Sequence, residues 1–414
     1  MEPEFLTPSK AFSLPLAGEE SFDFFASWQR LVGVSSLQHL PPAPHPSMSQ
    51  HGLTALLEIH EGGQVVNIAN LEQWQIKYRH LRENLEWLLG EQPPPPQSVK
   101  AKIIFETACA GYVRRKLRLQ IERRVSSQIL FQSALNGRTR QRILMTVESE
   151  SVPAYLCLPA VVRTPRPAVI CLHQFNKAAG ARESVGLDSE HNDVAFADEL
   201  ARRGYVTLAL DLPGYGERYH TEGSVAGEMV DFYRAEPRSS LLGRMAWEVS
   251  CAVEYLSSLE VVDSRRIGCM GHLLGGVVAL FATALDPRLK AVVASSACAT
   301  FRSQLDRGTS RSIWCSGTGM LPILGFFEGE NANSLPIEYH EIMALIALRP
   351  MFLCTPLKSD YFPREGLEEV ASHLENLYAF LGHPERLSIQ YPHYFIFFPE
   401  ELREDIYQWL TRFL

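Results

Sequence analysis

The sequence predicts an α/β protein: a mostly parallel central sheet with helices on both faces, preceded by a helical N-terminal extension. Three observations carry this. From about residue 140 onward, short apolar runs alternate with helical stretches, the pattern of strand–helix–strand units. RPAVICLH at 166–173 is apolar without alternation, as in a strand buried on both faces. IGCMGHLLGG at 267–276 passes from strand pattern to helix pattern through closely spaced glycines.

The elements follow in order. Residues 21–32 place Phe22, Phe24, Phe25, Trp28 and Leu31 at helical spacing. A second helix is expected from Leu71 to Leu89, with Trp74, Tyr78, Leu81, Leu85 and Leu88 on one side; Gly90 ends it and Pro93 to Pro96 forbid its continuation. Residues 1–135 therefore read as a helical region that packs on the rest or caps a pocket, and 136–414 as the sheet domain. RQRILMTV and VPAYLCLP read as the two strands of an opening hairpin. Ala195 to Arg203 is a helix closed by Gly204, and YVTLALD is the next strand. A helix through Met245 to Leu259 leads to the strand RRIGCMG, and Gly275 to Leu285 is again helical. KAVVASSA, RPMFLCTP and LSIQYP are later strands, and Glu401 to Leu414 closes the chain as a helix. Residues 214–242 and 300–336 are long enough to act as lids over the carboxyl ends of the strands.

Composition bounds the function. Of 414 residues, 46% are hydrophobic, which excludes disorder, and 39 basic against 47 acidic side chains argue against general affinity for nucleic acid or an anionic membrane. No apolar run reaches the ~18 residues of a membrane span, and MEPEFLTPSKAFSLPL lacks the pattern of a secretory signal, so a cytoplasmic location is expected. The eight cysteines show no CxxC pair and no dense spacing, and are expected to be reduced and mostly buried. There is no GxGxxG, P-loop or metal-ligand spacing, so no metal or cofactor is expected. The partner implied is a small organic substrate or ligand; a homodimer stays open.

IGCMGHLLGG resembles the nucleophile elbow of the α/β-hydrolase fold, in which GxSxG exposes a serine above the sheet. Gly271 and Gly275 occupy both glycine positions, and Leu273 stands at the serine. Together with LHQF at 172–175, ARRGYVTLALDLPGYGE at 201–217, DPRLKAVVASSA at 286–297, the segment from Glu341 to Phe362 and the frame from Tyr391 to Leu410, the chain is similar to the dienelactone hydrolase and acetylxylan-esterase-like group from about Trp74 onward. The resemblance implies an acid after the seventh family strand and a histidine after the eighth. Laid without gaps, PLKSDYF puts Ser359 at the acid, and the frame around Phe398, Pro399 and Arg403 puts Ile396 at the histidine. A one-residue shift would substitute Asp360, and a three-residue shift would substitute His393. Leu273 admits no such adjustment, because the glycines fix its place.

A leucine side chain has no lone pair and no ionisable proton, so it forms no acyl intermediate. Losing triad members lowers turnover by roughly 10⁶. Polar groups nevertheless remain nearby. His173 and Gln174 end a strand where the family forms half of its oxyanion hole from backbone N–H groups, and Leu274 would supply the other half. His393, Asp360 and His173 are the candidate acid–base groups. Gln174, Phe175, His272, Leu274, Tyr215 and Tyr361 are candidate substrate contacts, although a histidine in the place of His272 is most often structural in this fold and Tyr215 also reads as packing its loop. By the same resemblance Glu341 is a hydrogen-bonding structural carboxylate, whereas Arg182 and Glu183 are either solvated or gate the substrate. The leading expectation is a degenerate hydrolase whose apolar pocket promotes a cyclisation, isomerisation or elimination of an organic carbonyl compound, of a kind suited to specialised-metabolite biosynthesis. The rivals are a pseudoenzyme acting as ligand sensor or scaffold, and a hydrolase with relocated catalytic residues such as Ser295 or Cys269.

Overall fold

The computed structural model describes residues 25, 28–30, 33, 48–49, 52–61, 64–94, 98–135, 138–188, 190, 192–219, 231–305, 319–327, 334–357, 364–393 and 398–414; for 48–49, 52, 60–61, 123–135, 138–148, 192, 304–305 and 364–365 it describes the backbone alone. The first helix of the extension lies largely outside these residues. Its described part places Phe25 and Trp28 against Phe326.

Helix α1, Leu71–Leu89, keeps Trp74, Leu81, Leu85 and Leu88 on its buried side. Asn70 caps its start by accepting from the Gln73 N–H, and Gly90, at φ 72°, takes the left-handed turn that ends it. The Arg82 guanidinium donates to the carbonyls of Ala284 (3.1 Å) and Leu285 (2.8 Å), the last residues of α4, defined below. These carbonyls have no intrahelical donor, so α1 caps a helix of the sheet domain. The helix thus packs on the sheet domain at the end of α4 remote from the elbow.

One nine-stranded sheet organises the rest. Its strands are β1 Val99–Cys109, β2 Tyr112–Leu135, β3 Arg138–Pro159, β4 Arg166–Leu172, β5 Val206–Leu210, β6 Val262–His272, β7 Leu289–Ser295, β8 Met351–Cys354 and β9 Leu387–Gln390. Their order across the sheet is β9-β8-β7-β6-β4-β5-β3-β2-β1. The strands from β4 to β9 pair in parallel, whereas β1, β2 and β3 form an antiparallel meander whose third strand pairs with β5.

Two expectations are corrected. The sheet begins at Val99 rather than at residue 136, because 99–135 is strand where helix was expected. Leu117, Leu119 and Ile121 are buried and alternate with polar Arg118 and Gln120, the period-2 pattern of a strand with one face inward. RQRILMTV and VPAYLCLP are two parts of the single strand β3, and the hairpin partner is β2, from Tyr112 opposite Pro159 to Leu135 opposite Arg138.

Helices cover both faces. On one lie α3 Leu241–Ser257, α4 Leu274–Leu285, α5 Tyr339–Ala344 and α6 Arg364–Phe380; on the other lie α2 Phe196–Arg202 and α7 Glu400–Phe413. The alternation along β6 to β8 divides the core between these layers: Cys269, Val292 and Leu353 face the first, and Met270, Val293 and Cys354 the second. The seven described cysteines are free, six of them buried. Among the described residues no helix is long and apolar enough to cross a membrane.

Candidate active site

Strand β6 leads into Leu273, which holds φ 50° and ψ −115°, and α4 starts at the next residue. A positive φ is unfavourable for leucine, so the surrounding fold imposes the turn. The neighbouring glycines show how. A Cβ on Gly271 would stand 2.1 Å from the Gly275 carbonyl carbon, and one on Gly275 would stand 2.1 Å from the Leu172 carbonyl oxygen. Strand, turn and helix therefore close on one another with no room for side chains at 271 and 275. The Leu273 N–H donates to the Ser295 carbonyl at 2.9 Å, which fixes the apex to β7. The leucine side chain itself is buried, at 1% exposure, in the core beneath α4. Leu274, the first residue of α4, presents one of the N–H groups that no intrahelical carbonyl can reach.

The facing loop follows β4. His173 is fully buried; its Nε2 accepts from the Leu212 N–H at 3.0 Å and its Nδ1 lies 2.7 Å from the Gln174 carbonyl. Because Leu212 can only donate, the ring proton is on Nδ1, and the histidine is neutral. Burial pushes its pKa below the ordinary value, consistent with that state. With both nitrogens committed to backbone, His173 ties the β4 loop to the β5 loop, which corrects its expected place among the acid–base groups. Tyr215 rests against it, ring centres 5.2 Å apart.

Gln174 donates its backbone N–H to Glu183 at 2.7 Å, so that N–H is not available to a ligand. The Phe175 N–H is taken by no backbone carbonyl among the described residues. Glu183 is not solvated, as one reading of its loop allowed, but wholly buried, and desolvation raises its pKa to about 8. Asp211, at the end of β5, accepts from the Ala181 N–H (2.8 Å) and the Glu217 N–H (3.0 Å), locking the same two loops from below. Beneath them Arg218 bridges the Asp211 carbonyl, Glu150 and Glu248, and Arg244 binds Glu150 and Glu248 as well. Sequence reading left Glu183 open and missed Asp211 and Arg218. The signal available was an acid or arginine in an otherwise apolar or glycine-rich loop at a strand end.

His272, expected as a substrate contact, instead faces the α7 layer. It stacks on Phe398, ring centres 5.4 Å apart, and its Nδ1 meets the Ser295 hydroxyl at 3.1 Å. Glu341 accepts from the Glu338 N–H (3.0 Å) and lies 3.7 Å from Lys77, the structural role expected of it. His393 is exposed after β9. Ser359, Asp360, Tyr361 and Ile396 lie outside the described residues, as do 220–230, 306–318 and 328–333 of the lid segments. The described parts of the lids are joined: Tyr233 donates to the Gly319 carbonyl at 2.7 Å, and the Leu242 N–H to Met320 at 3.2 Å. Among the described residues no cluster of His, Cys, Asp and Glu could hold a metal ion.

A mostly parallel sheet with a strand–turn–helix elbow at its centre and a clasped loop beside it defines the α/β-hydrolase class. The family model for acetyl xylan esterase (AXE1) matches residues 141–308, from β3 through the elbow to β7. Over that stretch the chain is similar to the acetyl xylan esterase family, and its fold is that of the α/β-hydrolases. It is 29% identical over 238 residues to the Bacillus subtilis protein YtaP, which carries the name of a hydrolase; the match spans 56% of this chain and 74% of that one. It is also 29% identical over 149 residues to the 2,6-dihydropseudooxynicotine hydrolase of Paenarthrobacter nicotinovorans, spanning 36% of this chain and 33% of the other. In fold it is similar to a glucuronoyl esterase from Solibacter usitatus, with a TM-score of 0.63 and 14% identity over 90% of this chain and 98% of that one. A glucuronoyl esterase from Teredinibacter turnerae gives 0.62 and 17% over 95% and 99%.

Proposed function

We propose that this chain holds an organic carbonyl compound at the elbow and promotes a non-hydrolytic step on it, a cyclisation, isomerisation or elimination, without a covalent serine intermediate. The observation that carries the reading is Leu273 at the apex, in a backbone conformation unfavourable to it. The turn is maintained with a side chain that cannot attack a carbonyl, while the N–H at the head of α4 is left without an intrahelical acceptor. Backbone donors of this kind, pre-aimed at a developing oxyanion, are worth roughly 3 to 4 kcal/mol each in acyl transfer. They would serve an enolate equally well. Positioning of the reacting groups supplies the rest, up to ~7 to 11 kcal/mol. Such a step belongs to the biosynthesis of small organic molecules.

Binding without turnover, as in a ligand sensor or scaffold, is the second reading. It is favoured by His173, whose two nitrogens are both engaged by backbone and which therefore offers no base.

The test is a titration of the purified chain with ¹³C-carbonyl acetophenone together with a nitrophenyl acetate assay. A downfield carbonyl shift on binding, with ester hydrolysis no faster than buffer, supports the reading. Rapid ester turnover abolished by His393→Ala would replace it with a hydrolase of relocated chemistry.

A further inference from the structure

Ser296 and Thr355 are 0% and 1% exposed, and neither hydroxyl meets a hydrogen-bond partner among the described residues. An unpaired buried hydroxyl is destabilising, so two of them at the ends of adjacent strands need a reason. Their placement supplies one. His272 pairs with Ser295 and Ser295 with Cys354 across β6, β7 and β8, so Leu273, Ser296 and Thr355 form the next row, just past the strand ends. Open α/β sheets take their ligands at that edge. Backbone bonds hold the row in register: Leu273 N–H to Ser295 O at 2.9 Å, Ser296 N–H to Cys354 O at 2.7 Å, Thr355 N–H to Gln390 O at 3.0 Å. Ser296, like Leu273, has a positive φ, 52°. The first turn of α4 lies against it, since a Cβ on Gly276 would meet the Ala297 Cβ at 2.6 Å and the Ser295 carbonyl at 3.0 Å.

We propose that the Ser296 and Thr355 hydroxyls bind a second oxygen of the ligand, a neutral hydroxyl about one strand spacing (~4.8 Å) from the carbonyl held at the elbow. The substrate class is then a hydroxylated carbonyl compound. This rests on the carbonyl reading of the elbow. A carboxylate in place of the hydroxyl would need a buried cation beside it. Among the described residues the buried cations Lys77, Lys116 and Arg244 are instead held by Glu341, Glu217 and Glu248.

The test compares acetophenone with 3′-hydroxyacetophenone by ligand-observed NMR titration of the full chain and its Ser296→Ala and Thr355→Val variants. The chain should prefer the hydroxyketone roughly tenfold. Each variant should reduce that preference severalfold, while ligand-free Tm stays level or rises, because an unsatisfied hydroxyl has been removed. A Tm several degrees lower in both variants would show that the hydroxyls are structural and overturn the proposal. So would equal binding of both ketones, which would leave the carbonyl reading standing. Binding of neither ketone would remove both.

Discussion

Glu183→Gln tests how the loop beside the elbow is held. Glu183 is wholly buried and accepts from the Gln174 N–H, and desolvation raises its pKa from 4.5 to about 8. Between these pH values the unfolded chain has released a proton that the folded chain still holds. The folded state binds more protons, so stability falls as pH rises from 4.5 and the loss is complete only above about 8. Each tenfold change in proton affinity is ~1.4 kcal/mol, so the loss attributable to Glu183 is on the order of 5 kcal/mol. Glutamine keeps an acceptor for the Gln174 N–H and has nothing to ionise. Urea denaturation at pH 5, 6, 7, 8 and 9 should therefore show wild type and variant close together at pH 5 and the variant progressively more stable above. Parallel pH profiles for the two proteins would refute the assignment of a proton to Glu183.

Three further outcomes follow from the same geometry. Gly275→Ala should cost roughly 3 kcal/mol or more, or prevent folding, since its Cβ would press on the Leu172 carbonyl; wild-type-like melting would disprove the closure of the elbow. His173→Phe leaves the Leu212 N–H and the Gln174 carbonyl unpaired and should cost about 2 to 5 kcal/mol in urea denaturation. In wild type the lowered His173 pKa means that its contribution is present above the unfolded value of 6.5 and is lost as pH falls, opposite in sign to Glu183. Arg218→Ala strips a guanidinium from the fully buried Glu248 and should cost about 3 to 5 kcal/mol, measured against a surface control such as Arg234→Ala.

The parallel half of the sheet was legible because strands buried on both faces read as unbroken apolar runs, and the elbow because only glycine fits at 271 and 275. The antiparallel meander was not. Alternation in VRRKLRLQI is a strand signal, but in β1 most side chains from 102 to 108 are exposed on both faces, which removes the periodicity that would have placed the domain boundary at Val99. At the site, backbone features carried over from sequence, since they depend on glycines and strand ends. Side-chain roles did not: a histidine at a strand end reads alike whether its nitrogens face a ligand or, as in His173, two backbone groups of loops 39 residues apart. Glu183 was ambiguous for the same reason, because burial of a loop carboxylate depends on how the next loop folds over it.

The central claim is that the elbow keeps its shape without a nucleophile. Intact-mass analysis of the chain after incubation with a fluorophosphonate tests it most directly. The account predicts no mass gain in wild type and none beyond trace in Leu273→Ser, where a serine stands at the apex but Ile396 occupies the family's histidine position. Stoichiometric addition of one phosphonyl group to wild type, mapped to a serine such as Ser295, would contradict it.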